Sequence, residues 1–429
     1  MMCKRFVFVV SFIGLLVPTY AQFVNSKLTT LGASVKRPTR IAIAIQSKMP
    51  SNAIITVSPD VVFRTEDGGL NWSNKQIESP LGSGMENAAI SDLKGHLFFF
   101  HTADAPPGGN GLDHLVVQRS TDGGRTWSAG TAIGEKENKD ERGVGVAVHP
   151  RRPILYATWS EFDQYLLNDD NCHSNILYSM STNGGGKWTK PVQITQTPGD
   201  CRGDDNTAEG AMPAIAADGR IFVTWSNQGV VFFDRSYDGG DMWLSNDIGI
   251  AKQMAGWSLN IPGHGATSGK PMIGIDNGQG RSHGSLYVTY ADQAESNDDT
   301  DIWFLRSTNR GDTWTRPVKI NADESRTHQY MPVMTVDEVT GNIFVVYYDR
   351  RNYSDLQTDV YLGYSLDAGN TFREIKISES PFIPDTSVQL GMPAIAAYDG
   401  LIMPVWSRVD QGAVTIMTTV IKQEQLRKK

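Results

Sequence analysis

The chain has 429 residues, 40% of them hydrophobic, and a formal net charge of −8. These figures fit a soluble globular protein large enough for a sizeable core. With no basic stripe outside the short Lys/Arg-ended tail, they exclude nucleic acid as the expected partner. The 42 glycines and 20 prolines favour many short strands joined by turns.

The first segment, 1–21, has the pattern of a secretory signal peptide. Lys4 and Arg5 precede an apolar run at 6–17, and Pro18-Thr19-Tyr20-Ala21 places small residues ahead of Gln22. The run is shorter than the roughly 18 residues a spanning helix needs, and no later run reaches that length. The expectation is a secreted protein, periplasmic or extracellular and not membrane-spanning, with a single domain over 22–429. Beyond the signal the cysteines are Cys172 and Cys201. An even pair in an oxidising compartment suggests a disulfide, with two free buried thiols as the alternative.

From residue 40 onward one phrase returns: an apolar run, a polar turn, then a run of β-branched and aromatic residues. Copies lie at 40–58, 87–103, 145–161, 212–228, 270–292, 331–351 and 392–408. Each reads as a β-hairpin. A third strand follows most copies ("LVVQRS", "NILYSMS", "VVFFDRS", "DIWFLRS", "DVYLGYS"), and a fourth comes after a glycine-bearing turn. The unit is a four-stranded antiparallel meander, and no helical periodicity competes with it. Repeated sheets of this kind close radially into an all-β propeller, which leaves few strand edges open. The hairpin copies predict seven blades. The seventh has no room for its fourth strand, so an N-terminal strand at 23–32 is expected to close the ring.

The turn between third and fourth strands follows Ser/Thr-x-Asp/Asn-x-Gly-x-x-Trp/Phe. It stands at 65–72, 120–127, 181–188, 236–243, 307–314 and 365–372. Six written turns leave six blades as the alternative count. Glycine accepts the positive φ of a tight turn, and the Ser/Thr and Asp/Asn side chains can bond its backbone N–H groups. The aromatic residue can pack between neighbouring sheets. The turn reads as a folding staple.

These six turns resemble the Asp-box (BNR) repeats of the sialidase superfamily, over residues 40–420. The resemblance implies a propeller fold and an activity on glycans. Sialidases of that family use an arginine triad for the substrate carboxylate, an Asp acid/base, and a Tyr nucleophile paired with Glu. The Phe/Tyr-Arg-Ile-Pro stretch that carries their first arginine has no counterpart here, so no catalytic residue transfers by motif.

Topology narrows the search instead. The long connections, among them 161–174, 196–211, 250–269, 292–300 and 350–358, all belong to the face away from the recurrent turns, and function concentrates on loops held by a rigid scaffold. Cys172 and Cys201 both fall on that face. Arg142, Arg350 and Arg408 could clamp an acidic sugar, because guanidinium matches carboxylate bidentately. Ion pairs between blades are the alternative. Glu161, Asp163, Glu209, Asp292 and Asp349 are carboxylates on the same face, and glycoside hydrolysis usually needs two. Tyr330 is the candidate tyrosine, with Glu209 as its partner, and Trp257 could be a platform for a sugar ring. Asp298, Asp299 and Asp301 crowd one loop and suggest calcium, or a solvated acidic loop. No other cofactor is expected. The sequence therefore points to carbohydrate or a glycoconjugate as partner. Two functions remain: a sialidase-like glycoside hydrolase acting on an acidic glycan, or a non-catalytic propeller binding glycan or protein.

Overall fold

The computed structural model describes residues 23–31, 39–84, 86–103, 114–134, 138–388 and 390–427. The expected signal segment, 1–21, lies outside them. The described residues form an all-β ring of seven blades, each a four-stranded antiparallel sheet. Blades 1 to 6 span 41–76, 87–133, 140–193, 209–252, 272–319 and 329–376, and within each the strands lie in sequence order. The one helix among the described residues is a single turn, Gln423–Leu426.

Blade 7 explains why seven blades carry six turns. Its first three strands are Ala394–Tyr398, Leu401–Asp410 and Ala413–Thr418. The fourth is the amino-terminal strand Ser26–Leu31, antiparallel to Ala413–Thr418. No covalent hairpin joins these two strands, so no turn is written there. Asn25 fastens the closure to blade 6: its backbone N–H donates to Glu379 (2.8 Å), and its side-chain amide donates to the Ile377 carbonyl (2.9 Å).

The strands form where the sequence alternates or runs apolar, and burial follows from the radial layout. Each sheet is sandwiched between two others, so its second strand has no solvent face. Accordingly, Leu97–Ala103, Leu155–Phe162, Ile221–Asn227 and Ile343–Asp349 are buried at every position.

The recurrent turns share one hydrogen-bond scheme. The hydroxyl of the leading Ser or Thr accepts the N–H of the turn glycine, as in Gly124 to Ser120 (2.8 Å) and Gly240 to Ser236 (2.9 Å). The Asp or Asn side chain accepts a second N–H, as in Met242 to Asp238 (2.9 Å). In the first four turns the Trp indole N–H donates back to the glycine carbonyl, at 3.1–3.2 Å. Each turn also rests on the preceding blade. A Cβ at Gly240 of blade 4 would lie 2.3 Å from the ring of Tyr178 in blade 3. One at Gly311 would meet Phe233, and one at Gly369 would meet Phe304. The turn aromatics pack on the same rings: Trp243 on Tyr178 at 5.3 Å, Trp314 on Phe233 at 5.2 Å and Phe372 on Phe304 at 4.8 Å. The turn is thus a blade-to-blade joint as well as a hairpin.

Between blades 4 and 5 the chain inserts a hairpin, Ser258–Ile261 with Gly265–Ser268, on the face away from the turns. Asp292 anchors the insertion by accepting the N–H groups of Met254 (2.9 Å) and Ala255 (2.8 Å). Asp205 accepts that of Ser258 (2.9 Å).

The joint yields a paired expectation. Gly240→Ala places its Cβ against Tyr178 at φ +98°, and should lower unfolding stability by roughly 2–4 kcal/mol. Gly239→Ala, at φ +83° with open space around it, should cost about 1 kcal/mol. Denaturant titration of both variants measures the difference, and equal losses would contradict the joint.

Candidate functional site

The inner strands begin on the face away from the turns, and their first residues converge on the ring axis. One residue from each blade meets there: Arg40, Glu86, Arg142, Glu209, Lys270, Met331 and Met392 for blades 1 to 7. Charge alternates around blades 1 to 5, and two methionines make the remaining arc apolar. These side chains line a pocket of about 270 Å³, together with Tyr165, Trp257, Ser258 and His264. Next to it a second cavity lies between inner strands carrying Met212, Met272 and Met334.

Local backbone geometry aims several of these groups. In blades 3, 4 and 6 the inner strand bulges at the same point, after Arg142, Glu209 and Tyr330. Such irregularities redirect a side chain out of the sheet register. Gly143 (φ +69°) and Gly210 (φ +76°) occupy the bulge in blades 3 and 4, and Met331 (φ +56°) takes the same conformation in blade 6. Gly210 is further required by space: a Cβ there would lie 2.5 Å from the indole of Trp257.

The pocket holds opposed charges at short range. Arg40 pairs with Glu86 at 3.1 Å. The Arg142 guanidinium lies 4.2 Å above the ring centre of Tyr165, a cation–π contact. Burial, reinforced by the charge of Glu86, pushes the Glu209 carboxyl up to about 7. Burial also brings the Lys270 ammonium down to about 8, against the pull of Glu86. The Tyr165 phenol is raised to about 12, chiefly by burial. His264 falls to about 4, first through burial and then through Arg350, so its imidazole is neutral at physiological pH.

The disulfide stands directly behind Tyr165. Cys172 and Cys201 are bonded with their Cα atoms 5.6 Å apart, and they pack with Phe162 and Tyr165. Tyr165 meets Phe162 edge-on at 5.0 Å, and its backbone N–H donates to Asp140 (2.7 Å). The next residue, Leu166, donates its N–H to the Cys201 carbonyl (2.7 Å). The covalent bridge thus holds the ring on which Arg142 rests.

Of the residues singled out from sequence, Arg142, Glu209 and Trp257 come together in this pocket. The others stand elsewhere. Tyr330 occupies the bulge position equivalent to Arg142 and Glu209, yet it is fully buried, with His264 of the inserted hairpin packed on it at 5.3 Å. Arg350 is buried beside it, 5.4 Å from its ring centre, and donates to the Pro262 carbonyl (2.7 Å) and to Thr358 (3.1 Å). Asp349 is buried in blade 6, in a network with Arg351 (2.6 Å), which also pairs with Glu374 (2.5 Å). Burial raises the Asp349 carboxyl to about 6 although Arg351 opposes this. Glu161 is buried within the sheet of blade 3, outside the pocket lining. Arg408 lies at the rim, held by Asp410 (2.8 Å) and Ser380 (3.1 Å). Asp299 and Asp301 gather with Glu295, while Asp298 is not of the group. The Lys319 ammonium bonds both Glu295 and Asp301 at 2.8 Å, so a lysine supplies positive charge to that cluster.

Sequence reasoning missed Arg40, Glu86, Lys270, Tyr165 and His264. A usable signal existed for three of them. Arg40, Glu86 and Lys270 each stand one or two residues ahead of the inner strand, close to the place of Arg142 and Glu209, which lie at the start of theirs.

No protein-family model matches the sequence, and no curated protein matches it. Solved structures do resemble the fold. An ulvan lyase, titled as a new family of polysaccharide lyase and bound to -[GlcA(1-4)Rha3S]-, superposes with a TM-score of 0.54 at 12% identity, over 92% of this chain and 96% of its own. The NanB sialidase from Streptococcus pneumoniae gives 0.51 at 9% identity, over 87% and 84%. An α-L-arabinofuranosidase of Fusarium graminearum in complex with arabinobiose gives 0.51 at 12% identity, over 79% and 93%. At these identities the likeness is one of fold.

Replacing both Cys172 and Cys201 by Ser should cost roughly 2–4 kcal/mol of stability. It should also speed amide hydrogen exchange across 163–173 more than in the adjacent strand Ser174–Ser181. Unchanged exchange at Tyr165 and Leu166 would show that the bridge does not hold the pocket wall.

Proposed function

We propose that this protein is a glycoside hydrolase acting on an acidic glycan, and that the mouth pocket is its active site. One observation carries the reading: Glu86 and Glu209 share a single pocket, and their surroundings treat them differently. Glu86 is ion-paired with Arg40, whereas Glu209 is held near 7 and keeps its proton over much of the physiological range. Two carboxyl groups separated in this way are the acid and base of glycosidic cleavage.

In this account Glu209 protonates the oxygen of the leaving group as the bond to the anomeric carbon lengthens. Glu86 acts on the other side, either deprotonating water or attacking the anomeric carbon. Tyr165 remains a phenol because burial opposes its ionisation, and it can donate a hydrogen bond to the sugar. Trp257, packed on Gly210 next to Glu209, offers an aromatic wall.

The recurrent turns are read as Asp-boxes, and the function as sialidase-like in the broad sense of cleaving an acidic sugar on a propeller. The neighbouring folds act on or bind sugars by their titles, which fits this reading. The parts differ from the sialidase expectation, since Tyr165 and not Tyr330 stands beside Glu209. The disulfide, with the leader segment expected at 1–21, supports reading the protein as one of an oxidising compartment outside the cytoplasm. No helix among the described residues is long and apolar enough to cross a membrane.

Turnover of a fluorogenic sialoside and a panel of uronides tests the reading. Glu209→Gln should lower kcat by roughly 100-fold or more, the scale of a lost general acid. Because the acid form is required, wild-type kcat/KM should fall as pH rises through about 7, and the variant should lose that limb. Glycan binding without turnover on any substrate would replace the hydrolase by the non-catalytic alternative.

A further inference from the structure

The pocket's cations are not equivalent. Arg40 is engaged with Glu86 at 3.1 Å, and Arg142 is stacked on Tyr165 at 4.2 Å. The guanidiniums expected from sequence to clamp a carboxylate, Arg350 and Arg408, are bonded elsewhere. Lys270 differs from all of these. Among the described residues its ammonium makes no hydrogen bond and no ion pair, although it lines the pocket on the axis. Its aliphatic stem packs over Gly210, where a Cβ would lie 3.2 Å from Lys270 Cγ and 2.5 Å from Trp257. The stem and the indole are therefore fixed side by side.

Lys270 is half-buried, and a partly desolvated ammonium without a partner is stabilised when an anion completes it. Glu86 and Glu209 are near enough to favour its charge, but neither forms an ion pair with it. The neighbouring charges are Arg40 and Arg142, with His264 neutral on the inserted hairpin. With Glu209 protonated, the cations Arg40, Arg142 and Lys270 outnumber the anion Glu86, so the pocket favours an anionic ligand.

We propose that Lys270 is the specificity-determining residue of the pocket, pairing with the carboxylate of a uronic or ulosonic acid whose ring lies along Trp257. The proposal rests on the reading of the pocket as a glycan site. It differs from that reading in what it requires, because selection for the acid needs binding only and not turnover. Acid binding therefore weakens as pH rises, first as Glu209 loses its proton near 7 and then as the Lys270 ammonium, lowered by burial to about 8, loses its own.

Titration calorimetry with free N-acetylneuraminate and free glucuronate, each beside its methyl ester, tests the pairing in the full chain. Wild type should bind one of the acids at least roughly tenfold more tightly than its ester at about pH 6. Lys270→Met should remove that preference, and Lys270→Arg should restore it in part. Raising wild type to about pH 9 should mimic the Met variant. Equal binding of acid and ester by wild type overturns the proposal, as does undiminished acid preference in Lys270→Met or no binding of either acid. Preferential acid binding in a protein that turns over no glycoside supports the proposal and removes the hydrolase.

Discussion

The structure depends on one repeated contact, the glycine of each recurrent turn pressed against the preceding blade. Where that neighbour is an aromatic ring, as at Gly240 on Tyr178 and Gly311 on Phe233, there is no room for a side chain. The positive φ of these glycines and the hydroxyl that accepts their N–H set the hairpin. The ring beneath sets the angle between sheets. Gly69 applies the same contact across the seam, since a Cβ there would lie 2.6 Å from Val420 beside blade 7. With Ser26–Leu31 completing that blade, the two ends of the described chain are locked together. Closure removes the open sheet edges that would otherwise invite aggregation.

Closure also makes the chemistry. In blades 1 to 5 a single inner strand presents one charged residue near its start, and in isolation that residue would be solvated. Seven strands closed into a ring bring those residues to one mouth and withdraw them from water together. Desolvation then raises Glu209, lowers Lys270 and keeps Tyr165 protonated. The bulges after Arg142 and Glu209 turn two of the side chains inward, and the insertion between blades 4 and 5 adds Trp257 and His264 as a wall. The disulfide behind Tyr165 makes the opposite wall stiff.

Much of this was legible in the sequence because it is written in local pattern. The turn phrase, the hairpins, the missing fourth strand of the last blade and the face carrying the long loops all follow from residues near one another in the chain. The pocket was legible only in part. Arg142, Glu209 and Trp257 were found because each lies in or beside a connection on the face away from the recurrent turns. Arg40, Glu86 and Lys270 share a place at the start of their repeats, but they become neighbours only when the ring closes. Asp349 and Arg350 misled for a geometric reason. They end a second strand, about 5 Å farther from the axis than the first, where neighbouring blades bury both faces. Tyr330 has the right strand position, yet the hairpin of another blade covers it, a contact that no local pattern announces.

The central claim is that ring closure places Glu209 in surroundings that hold its proton near neutrality. Carbon-13 NMR of the Glu209 side-chain carboxyl, assigned by comparison with Glu209→Gln, measures this in the ligand-free protein. The account predicts a midpoint near 7. A midpoint at the ordinary glutamate value of about 4.3 would contradict it.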